Sequence, residues 1–219
     1  MGADTEAPSA LQGEQTQAGM DNVFPAKPAR KPRADAVRNH ERVLAAAKEV
    51  FSAGGPEASL EAVARQAGVG IGTLYRHFPT RQALFEAVYR REVEQLVELA
   101  EQLGTDLPPL EALRRWMHAN VEFVATKKGM SAALAIAVHA GSDLTAYSMD
   151  RLGRALEVLL RRAVEAGAIR DDISPEDILR TLVGLCYTHD KPGWQSNVLR
   201  LVDVFVDGMR RSQSLMVSG

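Results

Sequence analysis

The chain has 219 residues, 46% of them apolar but only 5% aromatic, and a net charge of −2. One cysteine excludes an intramolecular disulfide framework, and no apolar run reaches the roughly 18 residues of a membrane span. A composition rich in Ala, Leu and Val with few aromatic residues favours packed helices over strands. Since the N-terminus also lacks the pattern of a signal peptide, we expect an all-α cytoplasmic protein that does not enter a membrane.

The charges are unevenly distributed along the chain. Residues 27–91 contain 12 Lys and Arg against 6 Asp and Glu, which gives this segment a charge of +6. Residues 1–26 and residues 92–219 each have a charge of −4. A basic segment beside an acidic remainder is typical of a protein that binds DNA with one part and carries a separate sensing body.

The first elements are an arm and a helix. Residues 1–33 are rich in Ala, Gly, Gln and Pro and predict a disordered arm. Its basic end, residues 27–33, is either a solvated linker or a contact to phosphate or the minor groove, and both remain open. A helix is predicted from Asp35 or Arg38 to Ser52, and the Gly-Gly-Pro at residues 54–56 ends it.

Residues 60–78 predict two short helices joined by a glycine turn. Ser59 suits the N-cap of the first helix, over Leu60–Ala67, and Gly68 suits the left-handed conformation that would end it. The second helix is predicted over residues 70–78. Its expected buried residues are Ile71, Leu74 and Phe78, and its expected surface residues are Thr73, Tyr75, Arg76 and His77. Two short helices at this spacing are typical of a helix-turn-helix.

Two segments around this motif carry a family resemblance. They are ERVLAAAKEVFSAGG at residues 41–55 and GTLYRHFP at residues 72–79, the latter followed by Arg81, Ala83, Leu84 and Phe85. Together they resemble the TetR family of bacterial transcriptional regulators, densely over about residues 38–88 and beyond that in helical architecture only. The resemblance implies an all-α fold of about nine helices, with an N-terminal three-helix domain and a C-terminal helical domain for ligand sensing and dimerisation. The expected divisions are a disordered arm (1–33), a helix-turn-helix domain (34–80), an effector-binding and dimerisation domain (81–213) and a tail (214–219).

By this resemblance the second short helix enters the DNA major groove, where base contacts specify sequence and phosphate contacts fix position. The expected close approaches or base contacts are Gly70, Ile71, Gly72 and Thr73. The expected phosphate contacts are Ser59, Tyr75, His77 and Arg81, and Arg76 could serve in either way. The family often has Ser or Thr where this chain has Gly70, so one hydroxyl contact and one capping side chain are absent. Tyr75 and His77 could instead be half-buried packing residues.

The rest of the chain predicts a bundle of longer helices. They are expected at about residues 81–103, 110–125, 130–139, 144–166, 176–188 and 194–212. The expected breaks lie at Gly104, at Pro108 and Pro109, at Lys127-Lys128-Gly129, at Gly167 and at residues 190–193. Ser174 followed by Pro175 is a helix start with an N-cap and a proline at the first helical position.

Members of this family usually enclose a small-molecule pocket between the middle helices. The candidate contacts here are polar-tipped, aromatic or Met side chains: Trp116, Asn120, Phe123, Met130, His139, Tyr147, Tyr187 and His189. On an apolar helix face such residues are more often core than ligand contacts, and that alternative stays open for each. The set favours an apolar or amphipathic effector.

The last two helices are apolar over more of their surface than one protomer could cover. By resemblance we expect them to pack against their copies as a four-helix homodimer interface; the alternative is an ordinary monomeric core. The expected interface residues are Ile178, Leu182, Leu185, Val198, Leu201, Val202, Phe205 and Met209. A two-fold dimer would place its two helix-turn-helix domains about one DNA turn apart or a little more, which predicts a palindromic operator.

A metal-responsive regulator is the main alternative. Cys186 and His189 lie at i and i+3 with Asp190 adjacent, and His118 and Glu122 lie at i and i+4. A zinc site needs about four ligands, and neither CxxC nor HExxH spacing is present. We therefore expect no metal and no cofactor.

Two further classes are less compatible with the sequence. An enzyme is not expected, because no strand is predicted that a phosphate-binding loop or a nucleophile elbow could follow. A nonspecific DNA-coating protein would bind any duplex, whereas one short basic region in an acidic chain favours a localised reader. The expected function is a sequence-specific DNA-binding regulator, with repression and release by a small-molecule effector as the family habit.

Overall fold

A computed structural model describes residues 32–54, 58–134, 143–188 and 191–211. Within these ranges the chain forms eight helices and no strand, apart from an isolated bridge between Ile169 and Arg210. The helices are α1 (Pro32–Gly54), α2 (Leu60–Ala67), α3 (Ile71–His77), α4 (Arg81–Asp106), α5 (Pro109–Leu134), α6 (Asp143–Glu165), α7 (Pro175–Tyr187) and α8 (Trp194–Gly208). The all-α prediction is confirmed, with eight described helices where about nine were expected. The predicted tail and all but the last two residues of the predicted arm lie outside these ranges. No helix within the described ranges is long and apolar enough to cross a bilayer.

Helix α2 begins and ends at the predicted residues. Ser59 Oγ accepts a hydrogen bond of 3.1 Å from the Ala62 N–H at its start. Gly68 follows its last residue in the left-handed conformation, with φ +63°. The N–H of Val69 donates to the Ala64 carbonyl at 3.0 Å, which is the hydrogen-bond pattern of a glycine-terminated helix. The turn between α2 and α3 is therefore fixed by its own backbone.

Helix α1 reinforces this turn through Arg42. Its guanidinium donates to the carbonyl of Ala67 and, at 3.2 Å, to that of Gly68. These carbonyls have no partner within α2, and a cation at a helix C-terminus is favourable. Arg42 therefore holds the orientation of α2 relative to α1, and the sequence analysis did not identify it.

Helix α3 differs from the prediction in one buried residue. Leu74 is fully buried and Phe78 nearly so, as expected, but the side chain of Ile71 is 39% exposed. Ile71 is the first residue of a seven-residue helix, so it lies one turn before Leu74, where α3 has not yet reached the core. The prediction that Ile71 is buried is wrong.

Helix α4 joins the first three helices to the rest of the protein. It begins at Thr80, whose hydroxyl oxygen accepts a bond of 3.0 Å from the Ala83 N–H. Its 26 residues give a length of about 39 Å. Leu84 and Val88 near its start, and Leu96 and Ala100 further on, are all buried in one continuous core. A displacement of α4 at one end would therefore disturb the packing of its other end.

Helix α5 corrects the prediction of two helices separated at Lys127-Lys128-Gly129. It continues through these residues to Leu134, and Gly129 is not among the glycines with positive φ. A Cβ placed on Gly129 would lie 3.6 Å from the Cα of Ser52 in α1. The glycine thus allows close contact between α5 and α1, and tertiary packing outweighs the local signal for a break.

The remaining helices have largely the predicted ends. Gly167 adopts φ +66° after α6, and Ser174 Oγ accepts a bond of 3.1 Å from the Asp177 N–H at the start of α7. Helix α8 ends at Gly208, before the predicted residue 212, and Arg114 of α5 holds its last turns. The Arg114 guanidinium pairs with Asp203 at 2.8 Å and with Asp207 at 2.6 Å.

Candidate nucleic-acid interface and effector cavity

Helix α3 presents a polar and basic face to solvent. Tyr75 is 44% exposed, and Arg76 and His77 beside it are exposed as well. The helix sequence IGTLYRH contains no acidic residue. A short exposed helix with hydroxyl, guanidinium and imidazole groups and no carboxylate has the chemistry needed to approach a polyanion.

Gly72 within α3 and Gly70 just before it have no packing role. A Cβ on Gly72 would meet no atom within 4 Å, and one on Gly70 would meet only the Thr73 hydroxyl oxygen at 3.9 Å. Gly70 is the N-cap, and its φ of −67° is open to any residue. A glycine inside a helix costs about 1 kcal/mol relative to alanine. The fold therefore gains nothing from glycine at position 72.

Arg76 and His77, two other predicted residues of this face, each make a contact that positions the side chain. Arg76 Nε donates to the Gly72 carbonyl at 3.2 Å, which lays its side chain along the helix. The His77 ring lies edge-on to the ring of His40 in α1, with 6.1 Å between centroids. Thr73 is partly exposed. These contacts hold the side chains close to the helix without burying them.

Ser59, which is partly buried, and Arg81, which is exposed, both have structural roles. Ser59 caps α2, as described above. Arg81 Nη2 donates to the Ala58 carbonyl at 2.8 Å, and its guanidinium carbon lies 5.8 Å from the centre of the Phe51 ring. Arg81 therefore ties the start of α4 to the loop before α2, and its side chain remains exposed.

A cavity of about 480 Å³ lies among α4, α5, α6 and α7. Its size is in the range of drug-sized ligand sites. The described residues that line it are Tyr89, Asn120, Phe123, Val124, Lys127, Thr145, Ser148, Met149, Leu152, Leu179, Arg180, Leu182, Val183, Gly184 and Tyr187.

Three of the predicted effector contacts line this cavity: Asn120, Phe123 and Tyr187. Trp116 is instead buried in the core, where its Nε1–H donates to the Leu96 carbonyl at 2.8 Å. Met130 is also buried and is not among the lining residues. Tyr147 binds the Glu94 carboxylate on α4 and does not line the cavity either. His139 and His189 lie outside the described residues.

The polar groups of the cavity are largely bonded to one another. The Tyr89 hydroxyl donates to Ser148 Oγ at 2.8 Å, and Ser148 donates to the Thr145 carbonyl at 3.0 Å. The Asn120 amide donates to the Trp116 carbonyl at 3.0 Å. Burial raises the pKa of Tyr89, so this phenol stays protonated at neutral pH.

Lys127 is one of the cavity residues that the sequence analysis missed. It was taken as part of a helix end, whereas it lies within α5 and its ammonium nitrogen is 5.2 Å from the centre of the Tyr89 ring. Burial lowers the pKa of Lys127. The spacing of Asn120, Phe123, Val124 and Lys127 at i, i+3, i+4 and i+7 is the signal that could have identified this lining face.

The eight predicted interface residues lie on two sides of α7 and α8. Five are buried within the protomer itself: Ile178, Leu182, Val198, Val202 and Met209. Leu185 and Phe205 are partly buried, and Leu201 is 41% exposed. Val204, on the same helix as Leu201 and Phe205, is 70% exposed. The apolar residues of α7 and α8 that the protomer leaves partly or largely uncovered, here called the outer stripe, include Leu185, Leu201, Val204 and Phe205.

The residues considered for a metal site are otherwise engaged where the structure describes them. His118 Nε2 lies 2.9 Å from an Asp203 carboxylate oxygen. Cys186 is fully buried, and burial raises the pKa of its thiol to about 11. Among the described residues no group of three or more His, Cys, Asp or Glu side chains could hold a metal ion. His189 and Asp190 lie outside those ranges.

Comparison with known proteins gives matches over two segments of the chain. Residues 43–88 match the family model of bacterial regulatory proteins of the tetR family. Residues 108–211 match the model of the C-terminal domain of SbtR-like transcriptional regulators. The first match covers the helix-turn-helix, and the second covers α5 to α8.

Similar solved structures extend over most of the chain. The TetR transcriptional regulator SCO0520 from Streptomyces coelicolor is 43% identical, with a TM-score of 0.70 over 79% of this chain and 99% of that chain. A TetR transcription regulatory protein from Mycobacterium vanbaalenii is 37% identical, with a TM-score of 0.65 over 82% of this chain and 99% of that one.

Among curated proteins, the transcriptional repressor KstR of Rhodococcus jostii is 29% identical over 128 residues, which is 57% of this chain and 58% of KstR. The chain spans between 40% and 58% of the length of the first curated relatives that it matches. The relatives named here are transcriptional regulators, and none of them is an enzyme.

Proposed function

Because the chain belongs to the TetR family of transcriptional regulators, we propose that it is a dimeric repressor that binds a palindromic DNA operator and is released by a small-molecule effector. In this proposal residues 34–80 form the DNA-binding domain and residues 81–213 the effector-binding and dimerisation domain. The arm at residues 1–33 and the tail at residues 214–219 flank them.

The observation that best supports DNA binding is the exposed face of α3, on which Gly72 has no packing role within the protein. Gly72 lies where a side chain would meet nothing within the protein, although a helix is less stable with glycine than with alanine. Close approach of a DNA backbone or base edge explains why no side chain is present there. Gly70, Ile71 and Thr73 share this approach in our proposal, and Arg76 reads a base or a phosphate.

The remaining contacts that we propose are to phosphates. Tyr75 and His77 are exposed at the end of α3, and Arg81 and Ser59 lie at the adjacent helix starts. Hydroxyl, imidazole and guanidinium groups at such positions fix the register of a helix in the groove. Their loss should weaken binding to all sequences rather than change the preferred one.

The proposed effector site is the cavity among α4 to α7. Tyr89 lines it from α4, and one turn earlier on the same helix Phe85 is buried, with its ring 6.2 Å from that of Tyr89. On α5, Lys127 lines the cavity and Gly129 lies against Ser52 of α1. A ligand that displaces either helix would therefore change the position of the first three helices, and it would favour a dimer whose heads no longer match the half-sites.

The outer stripe supports the proposed homodimer. Leu201, Val204 and Phe205 lie at i, i+3 and i+4 on α8, beside the buried stripe that contains Val198 and Val202. Apolar side chains that the protomer itself leaves uncovered favour a partner that covers them. A two-fold partner would cover it with the same stripe and place two α3 helices roughly 34 Å apart.

Selection of duplexes from a random library by the full chain tests the operator proposal. We expect enrichment of a palindrome with half-sites about one turn apart. The Gly72→Leu variant should fold at least as stably as the unaltered chain, because leucine favours a helix and its Cβ meets no atom, yet it should enrich no motif. A Gly153→Leu variant, with an equally open Cβ position in α6, is the control that should retain selection. Retained selection by Gly72→Leu would contradict the placement of α3 in the groove.

A further inference from the structure

The charges that line the cavity are of one sign. Among its described lining residues, Lys127 and Arg180 are cationic and none is Asp or Glu. Arg180 is bonded to Glu176 at 2.5 Å, and its side chain is 70% exposed, so its charge is both paired and solvated. The charge that acts inside the cavity is therefore that of Lys127.

Lys127 has no acceptor for its N–H groups within the described part of the chain. Its contact there is with the face of the Tyr89 ring, which offers a cation a weak attraction but no oxygen. Three other polar side chains of the cavity wall already donate to one another or to carbonyls: Tyr89 to Ser148, Ser148 to Thr145 and Asn120 to Trp116. A ligand that needs a strong donor would find it at Lys127.

Lys127 is partly buried, so water solvates its charge less than that of a surface lysine. Burial disfavours its charged form, in agreement with the lowered pKa of Lys127. A carboxylate would supply both the opposite charge and the missing acceptor, forming a charge-assisted hydrogen bond. A ligand ammonium would be repelled, and an uncharged amide would supply the acceptor without the charge.

We propose that the effector is an amphipathic carboxylate whose acid group binds Lys127 Nζ and whose apolar body fills the cavity against Phe123, Met149 and Leu152. This inference rests on the proposed effector site and specifies the chemistry of its ligand. Lys127 lies two residues before Gly129, where α5 touches α1. Ion-pair formation would therefore occur on the turn of α5 that is in contact with the DNA-binding helices.

Binding of matched acids and amides to the full-length protein tests the proposal. The probes are decanoate with decanamide, and 1-naphthaleneacetate with 1-naphthaleneacetamide, measured by titration calorimetry at one ionic strength. We expect the acid of at least one pair to bind at least tenfold more tightly than its amide. In Lys127→Met this preference should disappear while the affinity for the amide is kept, and Lys127→Arg should restore the preference.

Two control variants make the outcomes distinct. Lys191→Met removes an exposed lysine and should leave the acid preference unchanged. Gly184→Leu adds a side chain at the cavity wall, where a Cβ meets no protein atom within 4 Å, and it should weaken every probe that binds inside. Circular dichroism of each variant shows that it is folded.

Each remaining outcome overturns a defined part of the account. Amides that bind as tightly as acids, and are weakened by Gly184→Leu, would contradict the carboxylate but keep the cavity as the effector site. An acid preference that survives in Lys127→Met would contradict the role of Lys127. Absence of binding by all four probes, or binding unaffected by Gly184→Leu, would contradict the cavity as an effector site and with it that part of the proposed function.

Discussion

At the scale of single residues, the helix-turn-helix depends on one glycine and one arginine from a different helix. Gly68 supplies the left-handed conformation between α2 and α3, and Arg42 of α1 bonds the two carbonyls exposed at that turn. A Cβ on Gly68 would lie 2.5 Å from Arg42 Nη2. The turn thus combines a backbone requirement with a steric one.

The substitution Gly68→Ala should lower the free energy of unfolding by about 2–3 kcal/mol. A non-glycine residue in the left-handed region costs about 1–2 kcal/mol, and displacement of Arg42 removes hydrogen bonds to a charged donor, which adds about 1 kcal/mol. Urea unfolding followed by circular dichroism measures the loss.

The matched control for this substitution is Gly167→Ala, at the end of α6. Gly167 has nearly the same φ, +66°, but its Cβ position is open. It should lose the backbone part alone, about 1–2 kcal/mol. Equal losses in the two variants would show that Arg42 does not stabilise the turn.

The sequence was most informative about residues whose role is local. The Ser59 and Ser174 caps, the bounds of α2 and the turn at Gly68 follow from short-range backbone chemistry, and the structure contains them all. The exposure of Ile71 and the bond from Arg42 depend on how α1 crosses α2 and α3. Sequence spacing does not contain that angle, so neither feature was predicted.

At the scale of whole elements, α5 shows how packing outweighs a local signal. Two lysines and a glycine predicted a helix end, but the helix continues, because Gly129 is the point at which α5 rests on the α1 backbone. The continuous helix also turns Lys127 towards the cavity. Reading it as a helix end concealed both the contact and the cavity residue.

A continuous α5 predicts that Gly129→Ala raises the free energy of unfolding by about 0.5–1 kcal/mol, because alanine favours the helix. The added Cβ would make ordinary van der Waals contact with Ser52 at 3.6 Å. Thermal and urea unfolding both report the change. Gly153→Ala in α6, where the Cβ meets no neighbour, should show a similar gain. A loss of 1 kcal/mol or more at Gly129 alone would indicate a left-handed residue and a helix end there.

At the scale of the whole molecule, the proposed release of DNA by an effector requires two long helices that contact both the cavity and the DNA-binding domain. Helix α4 carries Tyr89 at the cavity and begins three residues after Phe78, and α5 carries Lys127 beside its contact with α1. The ends of α4 were close to predictable from sequence. The cavity was predicted only in part, because four helices contribute to it and their relative rotation is set by long-range packing.

The proposed dimer should dissociate when charge is placed on the outer stripe of α8. The double variant Leu201→Glu, Val204→Glu replaces two exposed apolar side chains, so the folded protomer is preserved while four carboxylates oppose one another across the two-fold axis. Sedimentation velocity should show a dimer for the unaltered chain and a monomer for the variant.

The control for this prediction is Val158→Glu, which places one carboxylate on an exposed valine of α6 and should remain dimeric. A double variant that sediments as a dimer would contradict the assignment of the outer stripe as the interface. Loss of the dimer in Val158→Glu as well would show that charge alone, rather than the stripe, controls association.

The most direct test of the account is specific DNA binding through α3. Fluorescence anisotropy would measure binding of the full chain to the intergenic duplex upstream of its own gene, with excess unrelated duplex as competitor. We predict specific binding that is weakened about tenfold or more by Arg76→Ala or Tyr75→Ala, and unchanged by Arg154→Ala, a charge-matched change on the exposed face of α6. Binding without sequence preference, or α3 variants that bind as well as the unaltered chain, would contradict specific DNA recognition by α3.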